Sequence, residues 1–216
     1  MRITGKVCLL GLVASMFLSA GCRTTYYATM EKFGVHKRDM LKENVEEARD
    51  EQKKATEQFK DALTRLRELY NIEGGDLEKT YDRLKADFDR SETRATAVRE
   101  RIDKVETVAS DLFKEWEKEI AEMESSKLAS QSREKLRVTR DKYESLHAAM
   151  QRAEGSMEPV LKQFRDQVLY LKHNLNAQAI GALKGETLDI EKEIQQLIKD
   201  MNASIQQADS FIQGLE

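Results

Sequence analysis

Proline is almost missing from this 216-residue sequence; Pro159 is the only one. Aromatic residues make up 6%, and there are two cysteines, Cys8 and Cys22. Each shortage excludes something. A chain so poor in proline and aromatics does not have the composition of a compact, turn-rich globule. Of the two cysteines, Cys8 lies in the apolar N-terminal run and Cys22 just after it, which leaves no cysteine in the rest of the chain. An excess of positive charge is also absent: 36 Lys and Arg stand against 39 Asp and Glu, a formal net charge of -3. A nucleic-acid binder would carry a basic excess or stripe, and none runs through this sequence. The phosphate-loop, nucleophile-elbow, H-E-x-x-H and C-x-x-C signatures are missing as well. The expectation is therefore a protein that is not an enzyme, with no cofactor, small-molecule substrate or nucleic acid.

What is present is charge and helix formers. Charged residues reach 35% and hydrophobic ones 40%. That is enough apolar surface to bury, which argues against disorder. Abundant Ala, Glu, Lys, Arg and Leu is the composition of long helices.

The first residues form an address. Arg2 and Lys6 precede an apolar run from Val7 to Phe17, too short to span a bilayer as a helix. Leu18-Ser19-Ala20-Gly21-Cys22 follows. Small residues before a cysteine at this distance resemble a lipobox, with Ser19 where an aliphatic residue is commoner. The expectation is a lipoprotein signal peptide over 1–21, cleaved before Cys22, which becomes lipid-modified. Removing 1–21 takes away two basic residues and no acid, leaving 34 against 39, or -5. A lipidated Cys22 would leave no thiol, because Cys8 lies in the removed segment. Several acyl chains, at about 0.8 kcal/mol per CH2, would make a permanent membrane anchor. Arg23 follows, where by resemblance to proteobacterial lipoproteins an aspartate would signal retention in the inner membrane. The expected location is the inner leaflet of the outer membrane, facing the periplasm.

The rest repeats by sevens. Leu41, Val45, Ala48, Gln52, Ala55, Phe59, Ala62, Leu66 and Leu69 step by four and three. Gly74 and Gly75 interrupt, and Asp76 is a candidate N-cap. A second run goes from Leu77 to Met123 through Leu84, Phe88, Ser91, Ala95, Ile102, Leu112, Trp116 and Ile120. It would make a helix about 70 Å long at 1.5 Å per residue. Glu124 to Lys127 marks a turn. The third run holds Leu136, Tyr143, Leu146, Met150, Met157, Leu161, Phe164, Leu171 and Leu175. Pro159 inside it predicts a break around 155–159, because its ring clashes with the carbonyl of Gly155. Gly181 to Gly185 is read as the end of this run, and Ile190, Ile194, Leu197, Met201, Ile205, Ala208 and Ile212 as a shorter fourth helix with Asp189 and Glu191 in its first turn. Surface pairs such as Asp61–Arg65 and Glu100–Lys104 would add only about 0.2–0.5 kcal/mol each. The fold class that follows is all-α: an elongated antiparallel bundle of long coiled-coil-like helices, with one end reduced to three by the short fourth helix. The domains are 1–21 signal, 22–34 membrane-proximal tether and 35–216 bundle.

The segment from Tyr26 to Gly34, continuing through Val35-His36-Lys37-Arg38-Asp39 to Asp50, resembles a bacterial family catalogued as domain of unknown function 2959. The resemblance covers nearly all of the mature chain, with Met30 to Asp39 its most specific part. It implies an envelope lipoprotein and brings no activity or catalytic residue.

Four features are candidates for contact with something else. Lys32, His36, Lys37 and Arg38 stand close to Cys22 and could meet anionic headgroups, at about 1 kcal/mol per basic residue; a solvated helix start is the alternative, with Glu31 and Asp39 cancelling part of the charge. Tyr26, Tyr27, Met30 and Phe33 would share an apolar face, against a membrane interface or against the bundle. Phe113 and Trp116, with Leu112 and Ile120, make a stripe wider than a two-helix seam, suited to a protein partner or a second copy, or else to burial between helices. Glu144-Ser145-Leu146-His147 is a single E-x-x-H; di-metal bundles use pairs of them, so a solvated helix face is expected. The function that remains is a structural, scaffolding or protein-interaction role at the membrane. The alternative is a periplasmic chaperone-like module that holds a client along a groove.

Overall fold

A computed structural model describes residues 36–70, 77–174 and 176–215. The chain divides into two units, 1–40 and 41–216. In the first, the described residues are 36–40, where the His36 carbonyl accepts the amides of Asp39 and Met40 at 2.9 and 3.1 Å and opens a helix. The signal segment, Cys22 and the tether lie outside the described residues.

Five helices make up what is described: α1 Lys37–Tyr70, α2 Leu77–Glu122, α3 Ser126–Gly155, α4 Met157–His173 and α5 Ala177–Leu215. No strand occurs among the described residues. The fold is all-α, and residues 41–216 form an antiparallel bundle in which α3 and α4 act as one arm. The cross-links give the direction. Arg49 meets Asp209 at 3.0 Å, Thr56 Oγ1 lies 3.3 Å from Met201 Sδ, and Arg67 meets Glu191 at 2.9 Å. Rising numbers in α1 thus meet falling numbers in α5. Glu47–Arg101 and Gln58–Asp87 set α1 against α2 in the same sense. Phe88 meets Phe164 edge-on at 5.8 Å and Arg99 meets Glu158 at 2.9 Å, so α2 and α4 are antiparallel too.

The sevens become the core. Every apolar or small position read in α1, from Leu41 to Leu69, is buried, and so is Gln52. Burying a Leu, Ile or Phe is worth about 1.5–3 kcal/mol, and Phe59, Phe164, Leu66, Ile102 and Met157 are among the largest side chains fully enclosed. The break expected near Pro159 is a single residue. Gly155 ends α3, Ser156 sits at φ -73 and ψ -16, and Met157 begins α4. Proline has no N–H and cannot accommodate the carbonyl four residues back. Ser156 Oγ holds the joint by reaching Arg152 O at 2.9 Å and Asp200 Oδ2 on α5 at 2.6 Å.

Three expectations are corrected. Gly181 and Gly185 do not end a helix; they lie inside α5, and the stop falls at Asn174–Asn176. Asn176 Oδ1 accepts the Ala179 amide at 2.9 Å, a cap that an asparagine side chain supplies. A glycine inside a helix costs only about 1 kcal/mol, while Ala179, Ile180 and Leu183 are already buried. Glu191 is therefore well inside α5, where Arg67 is its partner. Second, α5 is 39 residues long, so the fourth helix is not the short one. Third, Ser204 rather than Ile205 faces the core, keeping step with Met201, Ala208 and Phe211. Arg65 also chooses differently from the i,i+4 rule: its Nε lies 2.6 Å from Asp87 on α2.

Candidate interaction surface

Among the described residues of 41–216, the antiparallel register leaves α2 and α3 longer than their neighbours at one end. Phe113, Tyr143 and Phe211 mark where α5 stops: Tyr143 meets Phe113 at 5.4 Å and Phe211 at 6.3 Å, both edge-on. A Cβ on Gly214 would come within 2.8 Å of Lys142 Nζ, so the last turn of α5 lies against Lys142. Glu47 pairs with Arg101, which puts Leu41 near the level of Thr107. Past these levels, among residues 41–216, α2 and α3 continue as a two-helix hairpin over 114–141.

The hairpin has a thin interior of its own. Ile120, Ala129 and Leu136 are buried, and Trp116 Nε1 donates to Ser132 Oγ at 2.8 Å across the seam. Its turn is capped: the Ser125 hydroxyl accepts the Leu128 amide and the Ser125 carbonyl accepts that of Ala129. Arg140 reaches Glu117 at 2.8 Å and places its guanidinium 5.1 Å from the Phe113 ring. The apolar residues left outside are Leu128, 58% exposed, Met123, 39%, and Val138, 38%. Leu128 and Val138 are out of phase with Leu136 on α3, so their side of that helix points away from the seam, and Met123 lies in the turn that follows α2.

The arms also differ in charge. From Glu117 to Glu124, α2 and the turn carry Glu117, Glu119, Glu122 and Glu124 against Lys118. From Lys127 to Arg140, α3 carries Lys127, Arg133, Lys135, Arg137 and Arg140 against Glu134. Arg137 holds Glu134 and Asp141 at 2.7 and 2.9 Å, and this guanidinium keeps the Glu134 carboxyl below its ordinary range.

At the base of the hairpin, Tyr143 stacks on His147 at 5.7 Å, and His147 Nε2 bonds Glu106 of α2. Burial, helped by the Glu106 charge, pushes the Tyr143 phenol up from 10.0 to about 12. Below pH 10 the folded and unfolded chains both keep this proton. Between 10 and about 12 only the folded chain does, so stability falls as the pH rises through that window. We expect phenolate absorbance to show one tyrosine ionising late, and Tyr143→Phe to remove that step and flatten the alkaline loss of stability. An unchanged titration curve would mean that Tyr143 ionises with the others.

The residues singled out from sequence fall in different places. Phe113 is buried in the aromatic cluster, and Trp116 is half-buried with its indole N–H engaged. His36 and Arg38 are exposed at the start of α1, and Lys37 is half-buried. Lys32, Tyr26, Tyr27, Met30 and Phe33 lie outside the described residues. In the E-x-x-H, Glu144 is exposed as expected, while His147 turns to Glu106. Among the described residues no group of three or more His, Cys, Asp or Glu is placed to hold a metal. Asp87 was missed. Its carboxylate is fully buried between Arg65 and Arg90, and its backbone carbonyl accepts Ser91 Oγ at 2.8 Å. The signal was available, since Asp87 lies three residues after Leu84 on the apolar stripe.

A family model described as Protein of unknown function (DUF2959) matches residues 26–215. The chain belongs to this family. No curated protein and no solved structure matches it. The DUF2959 match runs through all five helices, including the hairpin at 114–141.

Proposed function

We propose that this DUF2959 protein is a lipid-anchored envelope protein whose helical bundle acts as a scaffold or protein-interaction rod. The anchor is Cys22, on the inner leaflet of the outer membrane, and the bundle faces the periplasm. The observation that carries the reading is the order Arg2 and Lys6, apolar run, Ala20-Gly21, Cys22. The bundle supports it. No helix among the described residues is long and apolar enough to cross a membrane, so attachment through those residues would need another device. Buried side chains in residues 41–216 are nearly all apolar or small, which suits a rod that resists bending.

Fractionation of cells expressing Cys22→Ala tests the anchor. The expected result is a shift of nearly all the cleaved protein from the membrane to the soluble periplasmic fraction, with chains that retain the signal distinguished by their larger size. A variant that sediments with the membrane like the parent would end the lipid-anchor reading. The client-holding alternative finds less support. A groove of about 730 Å³ between α2 and α4 is lined by Asp89, Glu92, Arg99, Glu158 and Arg165 among others, and ion pairs span it. Such walls do not suit an apolar client.

A further inference from the structure

We infer that the hairpin over 114–141 is a self-association element, and that its partner is the same hairpin of a second copy. This deepens the scaffolding reading and rests on it only for the orientation of the copies. Three observations meet there. The hairpin has two helices where the rest of the bundle has four, so each arm keeps a face with no neighbour among residues 41–216. Leu128 and Val138 stand on the outer side of α3 and Met123 in the turn beside it, and a pair of hairpins would cover them.

Charge selects the occupant. Glu119 and Glu124 on the acidic side, and Lys127, Arg133 and Lys135 on the basic arm, take part in no ion pair with the described residues. A partner that complements them offers a basic strip beside the first set and an acidic strip beside the second. A second copy does both at once. A two-fold axis parallel to the hairpin sets the α2 arm of one chain against the α3 arm of the other, and the same contact recurs on the far side. That axis preserves height along the hairpin. Trp116–Ser132 and Glu117–Arg140 show that the two arms of one hairpin are level over this stretch, so the carboxylates of one copy meet the cations of the other. The tip residues Met123 and Leu128 meet in the same way. Two chains so paired stand side by side and point the same way, as two copies on one membrane must.

Glu119→Lys with Glu124→Lys makes both arms basic. Lys127→Glu with Arg133→Glu and Lys135→Glu makes both arms acidic. Self-association of the full chain in mild detergent is measured by sedimentation over a range of concentrations and salt. The parent is expected to form dimers that weaken as salt rises. Each variant alone should associate at least tenfold more weakly than the parent, while the two mixed should form a mixed dimer. All these side chains are on the exposed hairpin, and circular dichroism confirms that each variant is folded. A parent that stays monomeric overturns the inference and leaves the apolar tip to another protein or a lipid surface. A parent dimer that neither variant weakens overturns it as well. Either result stands apart from the Cys22→Ala fractionation, which reports on the anchor alone.

Discussion

Replacing Gln52 by leucine is expected to make the protein more stable, by about 1–3 kcal/mol. Gln52 is fully buried in α1, and neither its amide nitrogen nor its amide oxygen has a hydrogen-bond partner. The contacts Arg49–Asp209 and Thr56–Met201 bracket Gln52 on α1 and Ser204 on α5 at about the same level of the core, and the Ser204 hydroxyl is unpartnered too. A buried amide left unpaired loses its hydration without compensation, whereas leucine of similar volume keeps the packing. For a chain of this size each kcal/mol moves the melting temperature by about 2–4 °C. A melt of Gln52→Leu beside the parent decides it. Equal or lower stability would mean that the amide is satisfied by an enclosed water joining it to Ser204, and Ser204→Ala should then cost stability also. A lone polar residue in a heptad core often fixes register at the expense of stability. The same variant should therefore be checked for a change in oligomeric state.

Removing Asp87 is expected to have the opposite sign. Asp87→Ala should lose about 2–3 kcal/mol, toward the lower side of what breaking a buried ion pair costs. The carboxylate is fully buried, but its partners Arg65 and Arg90 are about half exposed. Once the carboxylate is gone, both guanidiniums can return to water, so no uncompensated buried charge remains. What is lost is the junction itself: α1 reaches α2 through Arg65, and Gln58 Nε2 reaches the Asp87 carbonyl at 3.4 Å. Denaturant unfolding of Asp87→Ala and Asp87→Asn measures the effect. A change under 0.5 kcal/mol in both would show that the arginines bring no net stability, as at many surface pairs.

Much of the fold was legible because one rule governed it. Where helices pack along their whole length, core positions must repeat every three or four residues, and Leu41 to Leu69 obeyed this without exception. The break at Ser156 was legible because a proline ring is a local steric fact. Failures came where two local signals competed. Glycine weakens a helix, yet at Gly181 the burial of Ile180 and Leu183 outweighs that, and the Asn176 cap moves the start of α5 upstream. Ile205 satisfies a four–three stepping from Met201 to Ala208 just as Ser204 satisfies a three–four one; the period allowed both, and the structure buries Ser204.

The candidate surface was less legible, for a physical reason. Phe113 and Trp116 drew attention as large apolar residues, but size favours burial, and the structure encloses one and half-encloses the other. The residues that remain outside, Leu128 and Val138, are known only once the register of α2 against α3 and the end of α5 are fixed. The burial of Asp87 could be read from the stripe, but its Arg65 partner and the Glu106–His147 pair are contacts between distant parts of the chain, to which periodicity is blind. Cys22 is the reverse case: its meaning lies wholly in the order of residues around it.

The overhang also governs how this molecule can change in length. Along most of the bundle, shortening one helix without its neighbours would leave buried side chains facing empty space, so all the arms must shorten together. Between Lys114 and Asp141, among the described residues of 41–216, two arms alone are matched against each other. A deletion of one heptad from each would restore phase across the seam and leave α1 and α5 untouched. Evolution can thus trim or extend the tip independently, altering the length of the exposed hairpin while the body behind it stays the same.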